Sequence, residues 1–564
     1  MAGGAHKELC SGERAVVLLF VFRVALSVPS SLFLHASALC LLSLAALFVE
    51  ISVESSNVSL QRFKTRPGAS SGILLGASTL PSVMLSRLIQ ISRVLSIHEN
   101  GVEERAYLEM QYWTVSACCL GVLVFFLYLQ ATSRKNWGSP FSLFTREMSC
   151  TYLCVLLYMV TCYFCFKSKT NAGWFGSNMW YLISHGAATA VLIQHILQKF
   201  PSCASIGEAL LVSAGMVLCF GDMLTHTLAK LSILSVSSKS YYLSNRTHTE
   251  ILTVIQGELL GLFLVPFFFK LTLQIWGYYR NTSTPRKIES TILFYTSTIV
   301  MLAFLMPAWM NFVHNFGVHP LLWVLNFVFT SPLERLALCS YWICVICISV
   351  LRFYKISKQS KTERILLRKY YHLVAVLMFV PALIFQPSFL DLAFGTALMV
   401  FLLLEMIRVW EIWPLGKMVH QFMNAFTDHR DSDVLIVSHF SLLLGCALPK
   451  WMSSGFNDRP LAPFAGILSL GIGDTMASMV GHKYGVLRWS KAGKKTVEGT
   501  AAGITSVWVA CYILLPLLAS SGYILSQHWG SLLIAVTLSG LLEAYTAQLD
   551  NAFIPLVFYS LLCL

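Results

Sequence analysis

A chain of 564 residues that is 56% hydrophobic and only 12% charged is too apolar for a soluble enzyme. The formal net charge of +13 does not indicate nucleic acid, because the lysines and arginines sit in short loops between apolar runs, where membrane topology rules place cytosolic basic residues. These features describe a polytopic membrane protein.

In chain order, the first apolar stretch runs from Ala15 to Val28, carries Arg23, and reads as a retained span or signal anchor. Further runs follow at Cys119 to Leu129, Ile251 to Trp276, Ile292 to Trp309 and Leu336 to Leu351. With polar flanks they approach the roughly 20 residues that cross a bilayer, and the whole chain accommodates about fourteen to seventeen such spans. The runs are continuous rather than alternating, and backbone groups in lipid must be paired internally. The expected fold is therefore an all-α bundle, not a β-barrel. The sixteen cysteines lie mostly within apolar runs and read as small packing residues. Glu208, Asp222 and Glu258 are acids in apolar surroundings, which can form an ion path or pair within the bundle. Asn57, Asn245 and Asn281 each fit the glycosylation triplet.

From residue 352 the topology becomes readable. A loop with Arg352, Lys355, Lys358, Lys361, Arg364, Arg368 and Lys369 is taken as cytosolic. The chain then leaves through Tyr370 to Phe385, turns at Gln386, Pro387 and Ser388, and returns through Phe389 to Arg408. The crossings Val434 to Trp451 and Leu461 to Tyr484 bring a second basic cluster, Arg488, Lys491, Lys494 and Lys495, to the same side. The pair Ala501 to Leu525 and Ser531 to Gln548 returns the chain there again at Asp550 and Asn551. We divide the chain accordingly into N-terminal membrane helices, residues 1–369, and a C-terminal core, residues 370–564.

The polar elements on that face carry the chemistry. Glu405 and Arg408 share one helix face, and the carboxylate-rich FTDHRDSD run holds Asp428 and Asp431. Gly473, Ala477, Gly481 and Gly485 recur every four residues, a smooth stripe that lets helices approach closely. Asp474 beside it is an acid in an apolar span, which costs about 2.5 to 3.5 kcal/mol on insertion scales and points to an ion or a partner such as Arg408. Next comes WSKAGKKTVEGT, which lacks P-loop spacing. Its lysines, the Thr496 hydroxyl and its glycine-rich backbone suit a polyphosphate, while a lysine run beside a span also serves topology. Glu543 and Asp550 lie seven apart, on one face if the helix persists. Acids so placed suit a divalent cation that bridges phosphates, magnesium above all.

The ordered set of Glu405 with Arg408, FTDHRD, GDTMASMVGHKYG, KKTVEGT and EAYTAQLDN resembles the polyprenol kinase family over roughly the last 160 residues. The resemblance implies transfer of the terminal phosphate of CTP to the end hydroxyl of dolichol, a long polyprenol held in the bilayer, with CDP as the other product. It places the protein in the endoplasmic reticulum membrane and makes dolichyl phosphate the carrier for N-glycosylation and related glycan assembly. Its CTP segments fall here on Asp474, Ala477, Gly481, Gly485, Lys495, Thr496, Glu498 and Gly499, to which Lys494 and the backbone through Thr500 are added. Asp474 is the expected metal ligand, Asp550 or Glu543 the expected proton acceptor, and Glu405, Arg408, Asp428, Asp431 and Asn551 supporting groups. The competing readings are a CTP-dependent cytidylyltransferase, a kinase of another lipid alcohol, and a transporter built on Glu208, Asp222 and Glu258.

Overall fold

The structure, a computed structural model, describes residues 2–56, 63–95, 102–134, 157–162, 174–235, 250–280, 287–359, 363–424, 435–453, 458–489, 495–520 and 528–564. Asn57, Asn245, Asn281, Asp428, Asp431 and Lys494 lie outside these residues. Among the described residues there are helices, short turns and one isolated two-residue antiparallel bridge. Among the described residues, nine helical segments are long and apolar enough to cross a membrane, and five shorter apolar helices accompany them. The protein is an all-α, multi-pass membrane protein.

The described chain forms two compact units. One unit joins residues 1–228 to residues 448–564, and the other holds residues 229–447. The first contains α1 (Ala2–Leu26), α2 (Phe33–Ser56), α3 (Ile73–Leu95), α4 (Val102–Arg134), α5 (Trp174–Lys199) and most of α6 (Ile206–Ser235). The second contains α7 (Glu250–Arg280), α8 (Lys287–Ile299), α9 (Met306–Val313), α10 (Pro320–Thr330), α11 (Pro332–Gln359), α12 (Glu363–Phe385), α13 (Pro387–Val409), α14 (Gly416–Asn424) and the start of α15 (Val437–Met452). The first unit resumes with a π-helical stretch, Ile467–Asp474, then α16 (Thr475–Tyr484), α17 (Val497–Ser520), α18 (Trp529–Tyr545) and α19 (Asp550–Leu562).

The expected turn at Gln386 is present: α12 ends at Phe385 and α13 begins at Pro387, whose fixed φ and missing N–H suit a first helical position. The second unit is cored by Val265, Phe269, Phe294, Met301 and Met306, with the Trp410 ring 5.0 Å from that of Phe269. Two features differ from the sequence reading. The helix after Ser531 does not persist to Asp550 but stops at Tyr545, so Glu543 and Asp550 do not share a helix face. A further helix, α19, follows, and every residue of it from Phe553 to Leu562 is buried. The cysteines divide as well: Cys118, Cys119, Cys446 and Cys511 are buried packing residues, whereas Cys344 and Cys347 on the apolar helix α11 are exposed.

In the first unit, α3 and α6 begin side by side. A Cβ on Gly76 would lie 2.6 Å from the Gly207 carbonyl oxygen, and the Gly207 amide donates to Ser71 O at 2.8 Å. Glu50 on α2 caps this junction by accepting from the Leu74 amide at 2.8 Å, while Arg14 on α1 bridges Glu50 and Glu54 at 2.6 Å each. A helix N-terminus and a guanidinium thus satisfy acids that would otherwise be costly in apolar surroundings.

Candidate active site

Asp474 is buried and sits where π winding passes into α16. A π turn widens the helix locally and is often found at functional sites. Ser478, one turn later, lies 3.5 Å from Asp474 Oδ1. The small-residue stripe on the same helix meets a matching row on α17. A Cβ on Gly499 would be 2.6 Å from Ala477 O and 3.0 Å from Gly481 Cα, and one on Gly503 would be 3.1 Å from Ala477 Cβ. Gly473, Ala477 and Gly481 therefore let the two helices pack closely.

The start of α17 is strapped from several directions. Thr496 precedes the helix and its Oγ1 accepts from the Gly499 amide at 3.2 Å, an N-cap that satisfies one of the free N–H groups of the first turn. The Glu498 carboxylate accepts from the Leu487 amide at 2.9 and 3.2 Å. The Val497 amide donates to Leu487 O at 2.8 Å and the Trp489 amide to Lys495 O at 3.3 Å, so residues 487–489 pair with 495–497. Trp489 Nε1 donates to Thr500 Oγ1 at 2.9 Å, and its ring packs on Tyr545, centroids 5.1 Å apart. This contact ties α17 to the end of α18.

At that end the chain breaks helix for four residues, and Lys495 fills the gap. Its Nζ donates to the Glu543 carbonyl, to Thr546 O at 3.3 Å and to Asp550 Oδ1 at 3.4 Å. The ammonium therefore compensates the carbonyl end of α18 and pairs with the first residue of α19. All three of its donors are engaged. The pair is partly open, the side chains being 32% and 16% exposed. Glu543 also lines a narrow crevice with Ser469, Gly473, Gly503, Ile504 and Ser539, and so shares a wall with the residue next to Asp474.

The structure thus brings together Lys495, Glu543 and Asp550, and packs the helix of Asp474, Gly481 and Gly485 against the helix that begins after Thr496. Asn551 is half-buried beside Asp550 in the first turn of α19. Glu405 and Arg408 lie in the second unit as a buried bidentate pair, with bonds of 2.8 and 2.6 Å, and Glu405 also accepts from the Ile436 amide at 2.9 Å. Arg408, the arginine considered as a partner for Asp474, thus bonds Glu405 with two of its nitrogens. No group of three or more His, Cys, Asp or Glu side chains able to hold a metal occurs among the described residues. Magnesium that bridges phosphates needs only one or two carboxylates, with water and phosphate oxygens completing its shell, so Asp474 remains compatible with that role.

Sequence reasoning missed the groups that hold the break itself. Gln548 is fully buried and its amide donates to Ser70 O at 3.0 Å and Ser70 Oγ at 2.8 Å. Glu208, considered as part of an ion path, accepts from the Leu549 amide at 2.7 Å and from Arg66. The contacts of Gln548 with Ser70 and of Glu208 with Leu549 span more than 300 residues, and only the apolar neighbourhood of Glu208 hinted at its contact.

Comparison with known proteins follows the same lines. A curated dolichol kinase of Arabidopsis thaliana is 58% identical over 571 aligned residues, covering 98% of each chain. The chain belongs to the dolichol kinase family. The family profile described as dolichol kinase matches residues 190–455. The Homo sapiens dolichol kinase is 33% identical over 65% of this chain and 66% of its own, and the Saccharomyces cerevisiae enzyme is 33% identical over 44% and 46%. No solved structure matches.

Proposed function

We propose that the protein is a CTP-dependent dolichol kinase of the endoplasmic reticulum membrane, with its site facing the cytosol, and that it supplies dolichyl phosphate for N-glycosylation and related glycan assembly. Family membership supports the acceptor and the reaction class. The observation that carries the site is the meeting of Lys495, Glu543 and Asp550 at the break between α18 and α19, beside the helix pair that bears Asp474 and Thr496.

In this reading the dolichol hydroxyl oxygen forms a bond to the terminal phosphorus of CTP, the bond from that phosphorus to the bridging oxygen breaks, and CDP leaves. A primary alcohol is a poor nucleophile near neutral pH, so a carboxylate accepts its proton. Glu543, which lines the crevice, and Asp550, which pairs with Lys495, are the candidates. The lysine's contacts to Thr546 and Asp550 are its long ones, and these are the donors that a phosphate oxygen can recruit. Lys494, the Thr496 to Thr500 backbone, Gly481 and Gly485 complete the nucleotide side, with Asn551 beside Asp550. Asp474 would hold the magnesium, which neutralises phosphate charge when bound. The polyprenol chain is too apolar to leave the bilayer, so its hydroxyl enters laterally between helices.

The test is to incubate purified protein with γ-labelled CTP and dolichol and follow both products. Label in the lipid with release of CDP supports the reading. Pyrophosphate release, or label absent from the lipid, overturns it.

A further inference from the structure

The Asp550 carboxylate stands directly after a stretch that is not helical, residues 546–549, and the orientation of that stretch sets where Asp550 and, through it, the Lys495 ammonium are held. Such a break leaves backbone groups without helical partners, and these must be satisfied elsewhere. Here the N-terminal half of the chain satisfies them. Glu208, near the start of α6, accepts from the Leu549 amide at 2.7 Å and from the Ser205 amide at 2.8 Å. Arg66, in the turn before α3, bonds Glu208 at 2.5 Å and donates to Ala547 O at 3.0 Å with the same nitrogen. Both side chains are 3% exposed. Between them lies Gln548, whose carbonyl accepts from Ser205 Oγ and whose amide bonds Ser70. Gly72, at φ +63°, leaves the space that the Gln548 amide fills, since a Cβ there would lie 2.5 Å from it. Three consecutive residues before Asp550 are therefore each held by a residue from the first 208.

We propose that Arg66 and Glu208 are positioning residues for phosphoryl transfer: as a buried pair they clamp Ala547 and Leu549 and so hold Asp550 and Lys495 in register. This rests on the reading of the site given above. A buried ion pair is weak evidence for stability, because hydrophobic residues of like volume often replace it without loss. Its geometric role is separate. A bidentate grip on one carbonyl and one amide fixes a backbone that apolar side chains cannot hold, and a misplacement of about 1 Å at a reacting group can cost roughly 10²-fold in rate.

The experiment compares full-length wild type, Glu208→Gln, Arg66→Lys and the double variant Arg66→Met with Glu208→Leu, measuring kcat, KM for CTP and melting temperature in the same detergent. The double variant keeps the volume while removing both charges. The expected result is a kcat lower by about 10²-fold in Glu208→Gln and in the double variant. KM for CTP should stay within about threefold, and the double variant should melt near wild type. Arg66→Lys, which keeps the charge on a shorter side chain, should fall between. A double variant that melts and turns over like wild type overturns the proposal, as does a kcat loss that only tracks melting temperature across the four proteins. If wild type itself transfers no label from γ-labelled CTP to dolichol, the kinase reading fails instead, and the two failures are distinguishable.

Discussion

The contact between α16 and α17 and the break between α18 and α19 flank the proposed site but are built differently. The first is a row of small residues against a row of small residues, with Gly499 lying against Ala477 and Gly481. Its specificity is steric and local, carried by a four-residue spacing that any helix imposes. The second is held by directed polar contacts. It is a short polar stretch kept in place by Lys495 on one side and by Arg66, Ser70, Ser205 and Glu208 on the other. Steric contacts define how near two helices come, whereas directed hydrogen bonds define where a carboxylate is held.

Substitutions can separate the two. Asp474→Asn keeps size and removes the charge, and it should lower label transfer by about 10²- to 10³-fold with the fold intact, the size seen when one electrostatic group is lost from a transfer site. Lys495→Met removes the link between the regions. The α18 carbonyls then lose their compensating charge and Asp550 its partner, so kcat should fall by about 10- to 100-fold, with KM for CTP rising as well. Retained kcat in this variant would remove the lysine from the site. Gly499→Val tests the steric region: with Ala477 O only 2.6 Å from the new Cβ, overpacking should cost about 1 to 3 kcal/mol, read as a lower melting temperature together with reduced activity. Trp489→Phe should have the smallest effect. The ring stays against Tyr545 while the bond to Thr500 is lost, which is worth about 1 kcal/mol, and melting temperature should fall slightly with kcat within about twofold.

Parts of this organisation were legible in the sequence and others were not. The Gly473 to Gly485 stripe was readable, and the plain packing explanation accounts for its geometry. The turn at Gln386 was readable too, because proline permits a helix start and not an interior. The crossing read from Ser531 to Gln548 is helical only to Tyr545. Residues Thr546 to Leu549 carry no glycine or proline, and what ends the helix is the set of distant partners that reward an open backbone. Glu208 was read by its cost in an apolar span, which holds for any buried acid, and nothing local indicated that Arg66 and the Leu549 amide would meet it.

The composition and the continuity of the apolar runs by themselves determined an all-α membrane protein, because backbone polar groups in lipid allow few alternatives. The ordered motifs pointed to the family that the full-length relative shows. Tertiary structure alone decided that the C-terminal motifs pack with residues 1–228, that Lys495 closes the end of α18, and that an arginine and a glutamate from the N-terminal half hold the loop before Asp550. Those are contacts between residues hundreds of positions apart. Local sequence encodes the helices and their small faces, but the pairing of buried polar groups is settled only when the helices have assembled around them.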